Sequence, residues 1–547
     1  MSIRALVRLL GAFAVVLALS CFVVVRAVAL PEGVQNEAIV SVWAEGKLVA
    51  RAVLRSSEEH DEATESVARA KGLPLIVETV VGEGPIVTSF PLALSFSLVP
   101  GRDGIKAKLG ERVAYITPDD LLAAQAYDHG SSIADLGLAV GADDHFILFL
   151  LTERLGASVD EIRNRATLRR IRVKRSTGQL QVTAETLTPA IVRESAISAG
   201  RYLARGIKAD GRFRYFVNAP TNVDLPGYDW PRHAGATYFL AQASFMSHEP
   251  ELGVAALRGA RILRDTAVTA CGAARCVGEG DDVEIGSSAL TLIAVAEIVR
   301  TELDVSYRTL VADLARFLRQ MQRADGEFMH VYNRTKSQPR DVQYLYFSGE
   351  AGLALARAHR ITGDPLDLEA ASRALAYLVG PAWHFLGNRY YFGEEHWTCQ
   401  LMAELWDRAP NASALDFCLR WQAYGRVMQY GPGETAFDAD GAYGAGPLVT
   451  PRLTPVASRC EAGVATMEIA RRANVPDAEI RALDLQLRRS LALLVRQQLN
   501  PGASHLFADP DAVRGAMPGS QVDWQLRIDY AQHAGSAMIR WLEGNSR

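Results

Sequence analysis

The sequence predicts a multidomain protein in which a small α+β N-terminal domain precedes an all-α (α/α)6 toroid, a closed ring of six helical hairpins. Three observations predict this fold class. A short phrase of small residues around one polar side chain recurs six times within 185–547. Amphipathic helical segments alternate with these phrases. Before residue 180 the pattern is instead the period-two alternation of β-strands.

The recurring phrases each open an Ala-rich, apolar helical stretch. They read Arg-His-Ala-Gly at 232–235, Gly-Ser-Ser-Ala at 286–289, Ser-Gly-Glu-Ala-Gly at 348–352, Glu-Glu-His-Trp at 394–397, Arg-Cys-Glu-Ala-Gly at 459–463 and Gln-His-Ala-Gly at 532–535. They recur after roughly 45–70 residues, which is the period of helix-pair repeats. The helices that they open are apolar or small on nearly all sides, so we expect them to be buried inner helices.

The segments between the phrases have a different pattern. Residues 478–498 carry charges on one face and Leu and Val on the other, as expected of an outer helix with one buried side. Pairing outer and inner segments in chain order gives six predicted hairpins: 188–206 with 231–246, 250–270 with 284–304, 306–322 with 346–361, 365–380 with 394–408, 411–429 with 454–474, and 476–498 with 528–543. Only a closed ring hides an inner layer that is apolar all round.

In this hairpin arrangement, residues 185–547 resemble the six-hairpin glycosidase-like superfamily. The resemblance is architectural and rests on the period of the phrases, not on a family signature. It implies a carbohydrate-active enzyme, either a hydrolase, a lyase or an epimerase, that acts on a polysaccharide or glycoconjugate. Similar toroids also host peptide-modifying and peptide-cyclising enzymes, and a non-catalytic binding or assembly protein of the cell envelope is a third alternative.

Length and composition bound the classes of function. The 547 residues are 49% hydrophobic with a mean hydropathy of +0.03, which is typical of a globular protein with more than one domain. The net charge of −4 argues against a general nucleic-acid binder, so no nucleic-acid partner is expected.

The first thirty residues have the pattern of an export signal. Two arginines precede an uncharged run from Leu9 to Val25, and Ala27-Val28-Ala29 fits the small-x-small cleavage pattern. Residues 1–29 are therefore predicted to be a signal peptide or a retained membrane anchor, and Cys21 leaves lipidation open. Each alternative places the protein outside the cytoplasm, in the periplasm or facing the extracellular side. The membrane is a partner only if the segment stays uncleaved.

The predicted N-terminal domain covers 35–180. Alternating stretches that begin at Ala38, Lys47 and Leu75 are predicted strands, with a helix at 58–71 between the second and the third. The domain is therefore expected to be a small α+β unit.

Two phrases in this domain resemble the AMMECR-type domain, in which a Gly-Arg-Asp-Gly turn joins two strands. They are Val99-Pro-Gly-Arg-Asp-Gly-Ile and Tyr115-Ile-Thr-Pro-Asp-Asp. The resemblance lacks that family's Cys-Ile-Gly phrase, so it implies no site. The arginine-rich segment 163–175 is interpreted as a solvated edge at the domain junction, with an anion-binding strip as the alternative.

Cys271 and Cys276 are separated by only Gly-Ala-Ala-Arg, which makes them the obvious local disulfide in an oxidising compartment. A metal site is the weaker alternative for this pair, because no second Cys/His pair follows at the spacing of a zinc site.

Four loops share a turn with an aromatic residue after Asp-Gly or its equivalent. They are Asp210-Gly-Arg-Phe213, Asp325-Gly-Glu-Phe328, Gly387-Asn-Arg-Tyr390 and Asp440-Gly-Ala-Tyr443. We interpret these aromatic residues mainly as core packing at the inner helix ends, with stacking on sugar rings as the alternative.

Equivalent positions on the inner helices of a ring point to one axis, so the polar residues of the phrases are expected to meet at the toroid mouth. The candidate catalytic residues are His233, Glu350, Glu461, Asp529 and His533. The candidate substrate-binding residues close to them are Asp229, Trp230, Tyr346, His396, Trp397, Arg459 and Tyr530. Any one of them could instead be a helix cap or a hydrogen-bonded helix end.

These residue types suit more than one reaction. Paired carboxylates beside aromatic walls serve glycoside hydrolysis. His with Tyr or Glu could instead abstract a proton beside a uronate carboxylate that Arg459 holds, as a lyase or epimerase requires. Three His and a Glu could hold a divalent metal, but no linear metal motif supports this, so no cofactor is expected.

Overall fold

The computed structural model describes residues 37–56, 58–86, 97–127, 141–175, 181–382, 396–435, 438–444 and 450–546. The predicted leader over 1–29, with Cys21, lies outside the described residues. In the described part of the chain, no helix is long and apolar enough to cross a membrane.

A six-stranded antiparallel sheet forms the N-terminal part. Its strands are β1 (Ala38–Ala44), β2 (Lys47–Leu54), β3 (Leu75–Pro85), β4 (Asp103–Leu109), β5 (Arg112–Ile116) and β6 (Thr167–Arg175). They lie in the order β2-β1-β3-β6-β4-β5. Four helices accompany the sheet: α1 (Glu62–Lys71), α2 (Pro118–Ala123), α3 (Asp144–Leu155) and α4 (Val159–Arg165). The three predicted strands and the helix between them are confirmed.

The arginine-rich strand β6 lies inside the sheet, between β3 and β4. Arg172 donates from Nε and Nη2 to the two carboxylate oxygens of Asp103, at 2.7 and 3.0 Å, and both side chains are almost fully buried. Arg170 is also buried and donates to the carbonyl of Ser97. The interpretation as a solvated edge is therefore wrong for these two arginines, which are paired within the fold, whereas it fits the exposed members of the segment, such as Arg163.

Twelve long helices follow in the part of 181–546 that the structure describes. The outer helices are α5 (Pro189–Arg205), α7 (Pro250–Ile262), α9 (Arg308–Met321), α11 (Pro365–Leu378), α13 (Ala412–Met428) and α15 (Asp477–Gln497). The inner helices are α6 (Trp230–Ser247), α8 (Ile285–Arg300), α10 (Phe347–Thr362), α12 (Trp397–Leu405), α14 (Leu453–Arg472) and α17 (Ile528–Ser546), with a short helix α16 (Pro510–Val513) before the last. Each predicted helix has a counterpart.

The inner helices form a closed ring. Each packs against the next, in the order α6, α8, α10, α12, α14 and α17, and α17 packs back against α6. The outer helices pack around them, and α5 also packs against α17. The helical part of the chain is therefore a toroid of hairpins, as the sequence predicts.

The glycines of the phrases explain how closely the inner helices pack. A Cβ at Gly535 on α17 would lie 2.1 Å from the ring of Phe239 on α6. A Cβ at Gly463 on α14 would lie 2.6 Å from Leu487 on the outer helix α15. Such contacts exclude a side chain, so the small residues of the phrases are packing requirements of the ring.

One predicted helix is shorter than expected. The segment predicted as a helix over 250–270 ends at Ile262, passes through one π-helical turn, Leu263–Ala267, and continues as a strand. This strand, β9 (Val268–Cys271), pairs with β10 (Ala274–Val277), and the predicted disulfide between Cys271 and Cys276 closes that hairpin. A second disulfide, Cys399–Cys418, joins α12 to α13 and was not predicted.

Short strands cover the mouth of the ring. Strands β7 (Phe216–Asn218), β8 (Val223–Asp224) and β14 (Gln525–Arg527) form one sheet. Strands β11 (Asp282–Glu284), β12 (Val331–Asn333) and β13 (Gln338–Arg340) form another. They bring the long loops of several hairpins together over the N-terminal ends of the inner helices.

The N-terminal sheet packs directly on the toroid. Nε2 of His505 lies 2.7 Å from Oδ2 of Asp119, and both side chains are buried. Asn218 of β7 donates to Gln125. Trp43 of the sheet belongs to the same continuous hydrophobic core as Phe239 of the inner ring. The boundary between 35–180 and 185–547 as separate domains therefore stays a prediction.

Candidate active site

A cavity of about 860 Å³ opens at the N-terminal ends of the inner helices. Its charged lining consists of Arg212, Asp229, Arg232, Glu279, Asp282, Glu284, Arg340, Glu350, Arg452, Arg527, Asp529 and His533. Its aromatic lining consists of Tyr228, Trp230, Tyr344, Tyr346, Phe347, His396, Trp397 and Tyr530. Aromatic walls with convergent polar groups are typical of a site for a small molecule or the end of a polymer.

Glu461 and His533 form a hydrogen-bonded pair beside this cavity. Oε2 of Glu461 lies 2.8 Å from Nδ1 of His533, and Nε2 of His396 lies 3.5 Å from the same oxygen. The Glu461 side chain is almost fully buried, whereas His533 lines the cavity. A carboxylate on Nδ1 fixes the tautomer of an imidazole and leaves Nε2 for proton transfer.

The pKa of His533 is shifted by its surroundings. Burial lowers it, but the neighbouring carboxylate of Glu461, through its charge and its hydrogen bond, outweighs burial and raises the pKa of His533 above the ordinary value, and Asp529 adds to this. The pair can therefore hold a proton near neutral pH and release it at higher pH.

Asp529 lies one turn before His533 and is held by two arginines. Its carboxylate accepts from Arg527 at 2.6 and 2.9 Å, and Nε of Arg232 lies 3.3 Å away. Burial favours the neutral carboxyl, yet these guanidinium groups lower the pKa of Asp529 below its usual value. Asp529 is therefore an ionised carboxylate at neutral pH.

Glu350 lines the cavity from the first turn of α10. Its side chain is buried, and Oε2 lies against the N-terminal turn of α8, where a Cβ on Gly286 would be 2.9 Å away. The absence of a side chain at Gly286 thus leaves the space that the Glu350 carboxylate and the Phe347 ring occupy.

Most of the predicted substrate-binding residues also line the cavity. Asp229, Trp230, Tyr346, His396, Trp397 and Tyr530 all do so. The ring of Trp397 lies 4.3 Å from that of His396, and Trp230 donates from Nε1 to Glu279 at 2.9 Å. Asp229 caps α6 by accepting from the backbone N–H of Arg232 at 2.9 Å. It is therefore both a helix cap and a residue of the cavity lining, the two alternatives that the sequence left open.

Two predicted residues point elsewhere, and for these the predicted convergence is wrong. His233 is fully buried between Tyr228, whose hydroxyl is 2.5 Å from Nδ1, and the Gly259 carbonyl of outer helix α7, 2.9 Å from Nε2. Burial lowers the pKa of His233 to about 4. Arg459 stacks over the ring of Tyr443, 4.6 Å away, on the outer side of α14.

The turn aromatics behave as the sequence indicates. Phe213, Phe328 and Tyr443 are all buried, and Phe213 packs edge-on against His233 at 4.9 Å. The interpretation as core packing is therefore confirmed for these three, while Tyr390 lies outside the described residues.

Sequence reasoning missed Arg212, Arg232 and Tyr344, which all line the cavity. Tyr344 stacks nearly parallel to His330, which accepts from the Tyr344 backbone at 2.7 Å and lies 2.7 Å from the Ser348 hydroxyl. Within the phrase at 348–352, the sequence indicates a role only for Glu350. Ser348 of the same phrase holds His330, and His330 supports the cavity wall at Tyr344. Arg212 lies within the turn Asp210-Gly-Arg-Phe213, whose pattern predicts a role only for the aromatic residue.

His396, Glu461 and His533 are also a set that could hold a metal ion. Their three ligand atoms lie within 4.8 Å of one another. Two imidazoles and a carboxylate are ligands that zinc accepts. Two of these three atoms already satisfy each other through the Glu461–His533 hydrogen bond, so this pair needs no metal to be a stable arrangement.

No protein-family model matches the chain, and no curated protein matches its sequence. Solved structures similar to it include D-mannose isomerase, at 12% identity and a TM-score of 0.49, covering 64% of this chain and 97% of that one. A cellobiose 2-epimerase from Spirochaeta thermophila has 14% identity and a TM-score of 0.48, covering 66% and 100%. Unsaturated glucuronyl hydrolase from Bacillus sp. GL1 has 13% identity and a TM-score of 0.48, covering 64% and 96%.

The ring of six hairpins on which the stated resemblance rests is seen in this chain's own helices, independently of these structures. With such low identities and with TM-scores below 0.5, they assign neither an activity nor a residue role to this chain.

Proposed function

We propose that this protein is an exported carbohydrate-active enzyme that transfers a proton to or from a saccharide bound in the toroid mouth. The observation that carries the proposal is the Glu461–His533 pair, in which a buried carboxylate orients an imidazole that lines the cavity. Aromatic walls suit the faces of sugar rings, and the many polar groups between them suit hydroxyls.

In the proposed reaction, neutral His533 removes a proton from a sugar carbon beside a carbonyl or carboxylate, and the resulting imidazolium returns a proton. The charge of Glu461 stabilises the imidazolium, which makes His533 a stronger base than an isolated histidine. His396, 3.5 Å from the same carboxylate oxygen, and Tyr346 complete the polar surface around the reacting centre. In a lyase, the imidazolium of His533 passes its proton to the leaving group. In an epimerase, a second acid on the opposite face of the sugar delivers the new proton, and His533 later loses the one that it removed.

Glycoside hydrolysis is the second candidate, and Glu350 favours it because a buried carboxyl beside a cavity suits a general acid. Hydrolysis also needs a second carboxylate to attack or to activate water. Asp529 is bound by Arg527 and Arg232, which compete for its lone pairs. For this reason the epimerase or lyase reaction is preferred.

Other functions remain alternatives with less support. A peptide-cyclising enzyme would need a Cys/Cys/His zinc site, whereas Cys399 and Cys418 are bonded to each other and Cys460 is buried. A non-catalytic envelope protein would not need the Glu461–His533 pair.

Two further parts of the proposal concern the whole chain. The two disulfides are what an oxidising compartment allows and support export, with residues 1–29 as leader or anchor. The α+β region of 35–180 and the toroid of 185–547 are proposed as two domains, joined by buried contacts such as His505 with Asp119.

The test is proton exchange in D2O. Purified protein is incubated with uronic-acid and neutral oligosaccharides, and NMR follows deuterium entering carbon-bound positions. The wild type is expected to label one carbon or to form an unsaturated product, and His533→Ala to do neither. His60→Ala, at a strongly exposed histidine of the N-terminal region, is the matched control and should behave as wild type. Release of a sugar without carbon-bound deuterium or an unsaturated product would favour hydrolysis instead.

A further inference from the structure

Five arginines line the cavity, and four of them are paired with carboxylates. Arg232 and Arg527 bind Asp529. Arg340 binds Asp282, and Arg452 lies 3.4 Å from Asp523. These four positive charges are therefore largely neutralised before any ligand arrives.

Arg212 is the exception among the described residues. No carboxylate lies within salt-bridge distance of its guanidinium group, which is partly exposed and lines the cavity. Its central carbon lies instead 4.9 Å from the centre of the Tyr228 ring and 5.0 Å from that of Trp230. Cation–π contacts of this kind fix the plane of a guanidinium group and leave its N–H donors available.

The platform beneath Arg212 is built by hydrogen bonds. The Tyr228 hydroxyl lies 2.5 Å from Nδ1 of His233 and accepts from the backbone of Phe213 at 3.3 Å. Trp230 is the first residue of α6, is almost fully buried, and donates to Glu279. Both rings are therefore held in place without a ligand.

The backbone turn directs Arg212 to the platform. Gly211 has a φ of +88°, which a residue with a Cβ adopts only with strain. Asp210 accepts from the backbone N–H of Arg212 at 2.9 Å. The next residue, Phe213, is buried against His233, so Arg212 is the member of the turn that reaches the cavity.

We infer that Arg212 binds the carboxylate of a uronic acid residue, so that the substrate of this cavity is an acidic saccharide. The inference deepens the proposed function and rests on it, because it names the substrate class of the same cavity. A planar guanidinium fork matches a carboxylate in a bidentate contact, and partial burial strengthens that contact. This is the role that the sequence assigned to Arg459, which instead stacks on Tyr443.

The position of Arg212 also connects the anion to the reacting centre. Its platform stands at the start of α6, the inner helix next to α17. Arg232 of α6 reaches Asp529 of α17, one turn before His533. A saccharide whose carboxylate lies on Arg212 would follow this wall towards the Glu461–His533 pair.

The test compares two disaccharides that differ in one group. Cellobiose and β-D-glucuronosyl-(1→4)-D-glucose differ only in a hydroxymethyl against a carboxylate on the non-reducing ring. Calorimetry on the full chain is expected to show at least ~10-fold tighter binding of the uronate. Arg212→Met keeps an apolar stem over the rings and is expected to bind both within about 2-fold. Arg481→Met, at an exposed position of α15, is the matched control and should keep the preference.

A second measurement needs no variant. Raising the salt from about 50 to 500 mM should weaken binding of the uronate and leave that of cellobiose unchanged. The inference is overturned if the wild type binds the two sugars equally, if it binds neither, or if Arg212→Met keeps the preference. Tighter binding of the matching 6-sulfate than of the uronate would also overturn it. Because His533→Ala should retain the preference, failure of the proposed proton transfer is measured separately.

Discussion

Oε2 of Glu461 lies 2.8 Å from Nδ1 of His533, with the carboxylate buried and the imidazole at the cavity. The two residues are 72 positions apart in sequence and belong to neighbouring inner helices, α14 and α17. Their contact exists because α14 and α17 pack side by side in the ring. It gives the cavity a group that can hold and transfer a proton, and the first two predictions test it.

Replacing His533 by alanine is expected to reduce turnover by at least ~100-fold, because the proton acceptor is lost. Glu350→Gln tests the other candidate acid and should have an effect of this size only if Glu350 takes part in the chemistry. The melting temperature should change little in both variants. If these residues serve only as helix ends, the same changes would cost about 0.5–2 kcal/mol of stability and leave turnover intact.

The pH dependence of the rate should report the influence of Glu461 on His533. Because Glu461 raises the pKa of His533, a reaction that needs neutral His533 should become faster with rising pH, through a midpoint above 6.5, the ordinary pKa of histidine. Glu461→Gln removes the charge and should move this midpoint to lower pH. The measurement is kcat/KM against pH for both proteins, and an unchanged midpoint would contradict the assignment.

His233, in contrast to His533, should affect the stability of the fold and not the chemistry. Its folded pKa is lowered to about 4 from 6.5, so the unfolded chain takes up a proton first as the pH falls. The contribution of His233 to the free energy of unfolding should therefore decrease as the pH falls from 6.5 to about 4, by up to about 3 kcal/mol. Below this range its contribution should change no further.

The comparison that isolates His233 uses His233→Gln, which cannot be protonated. Urea unfolding at about pH 7 and about pH 4 should show a smaller loss of stability for the variant than for the wild type. At saturating saccharide, turnover per folded molecule should fall far less than in His533→Ala, because His233 contacts the platform residue Tyr228 and not the reacting centre. Equal losses for the two proteins would be inconsistent with a buried neutral His233.

The contrast between His233 and His533 also defines what the sequence could predict. Both histidines stand in a His-Ala-Gly phrase, but His233 is the fourth residue of α6 and His533 the sixth of α17. Two residues on a helix correspond to a rotation of about 200°, which is enough to turn a side chain from the axis to the outer layer. Periodicity predicts that a helix is present, but not how far it is rotated.

The same rotation separates Arg459 from Glu461 on α14. Glu461 reaches His533, whereas Arg459, two positions earlier, stacks on Tyr443. Glu461 also lies two turns inside α14 and not at its start, because that helix begins at Leu453. The hairpins and the position of most candidate residues at the cavity could thus be predicted from local patterns, while this pairing depends on the relative heights of two helices.

Ion pairing inside the sheet could not be read from local sequence either. Arg172 looks like a surface residue in an arginine-rich stretch, and only the pairing of β6 with β4 brings it to Asp103. The disulfide between Cys399 and Cys418 was missed for a similar reason, because it links the start of an inner helix to the next outer helix.

Reduction of the disulfides should affect stability unequally. The chain-entropy account gives about 3 kcal/mol for Cys399–Cys418, whose sequence separation is 19, and about 2 kcal/mol for Cys271–Cys276, with a separation of 5. Non-reducing peptide mapping of protein purified from an oxidising compartment should recover both linked pairs. Two free thiols at 271 and 276 would contradict the local bridge.

The Cys399–Cys418 bridge should also affect the site, because Cys399 lies in the first turn of α12, directly after His396 and Trp397. A Cys399→Ala/Cys418→Ala variant frees this turn from α13, so the free energy of unfolding should fall by about 3 kcal/mol. Saccharide binding should also weaken, because Trp397 loses its fixed position.

Cys460→Ala, at a buried cysteine without a disulfide, is the control for a lost thiol in the core. Urea unfolding and calorimetry with and without reductant separate the two effects, since reductant should open both bridges in the wild type but only Cys271–Cys276, worth about 2 kcal/mol, in the double variant. A double variant that unfolds and binds like the wild type would mean that packing alone holds α12 in place.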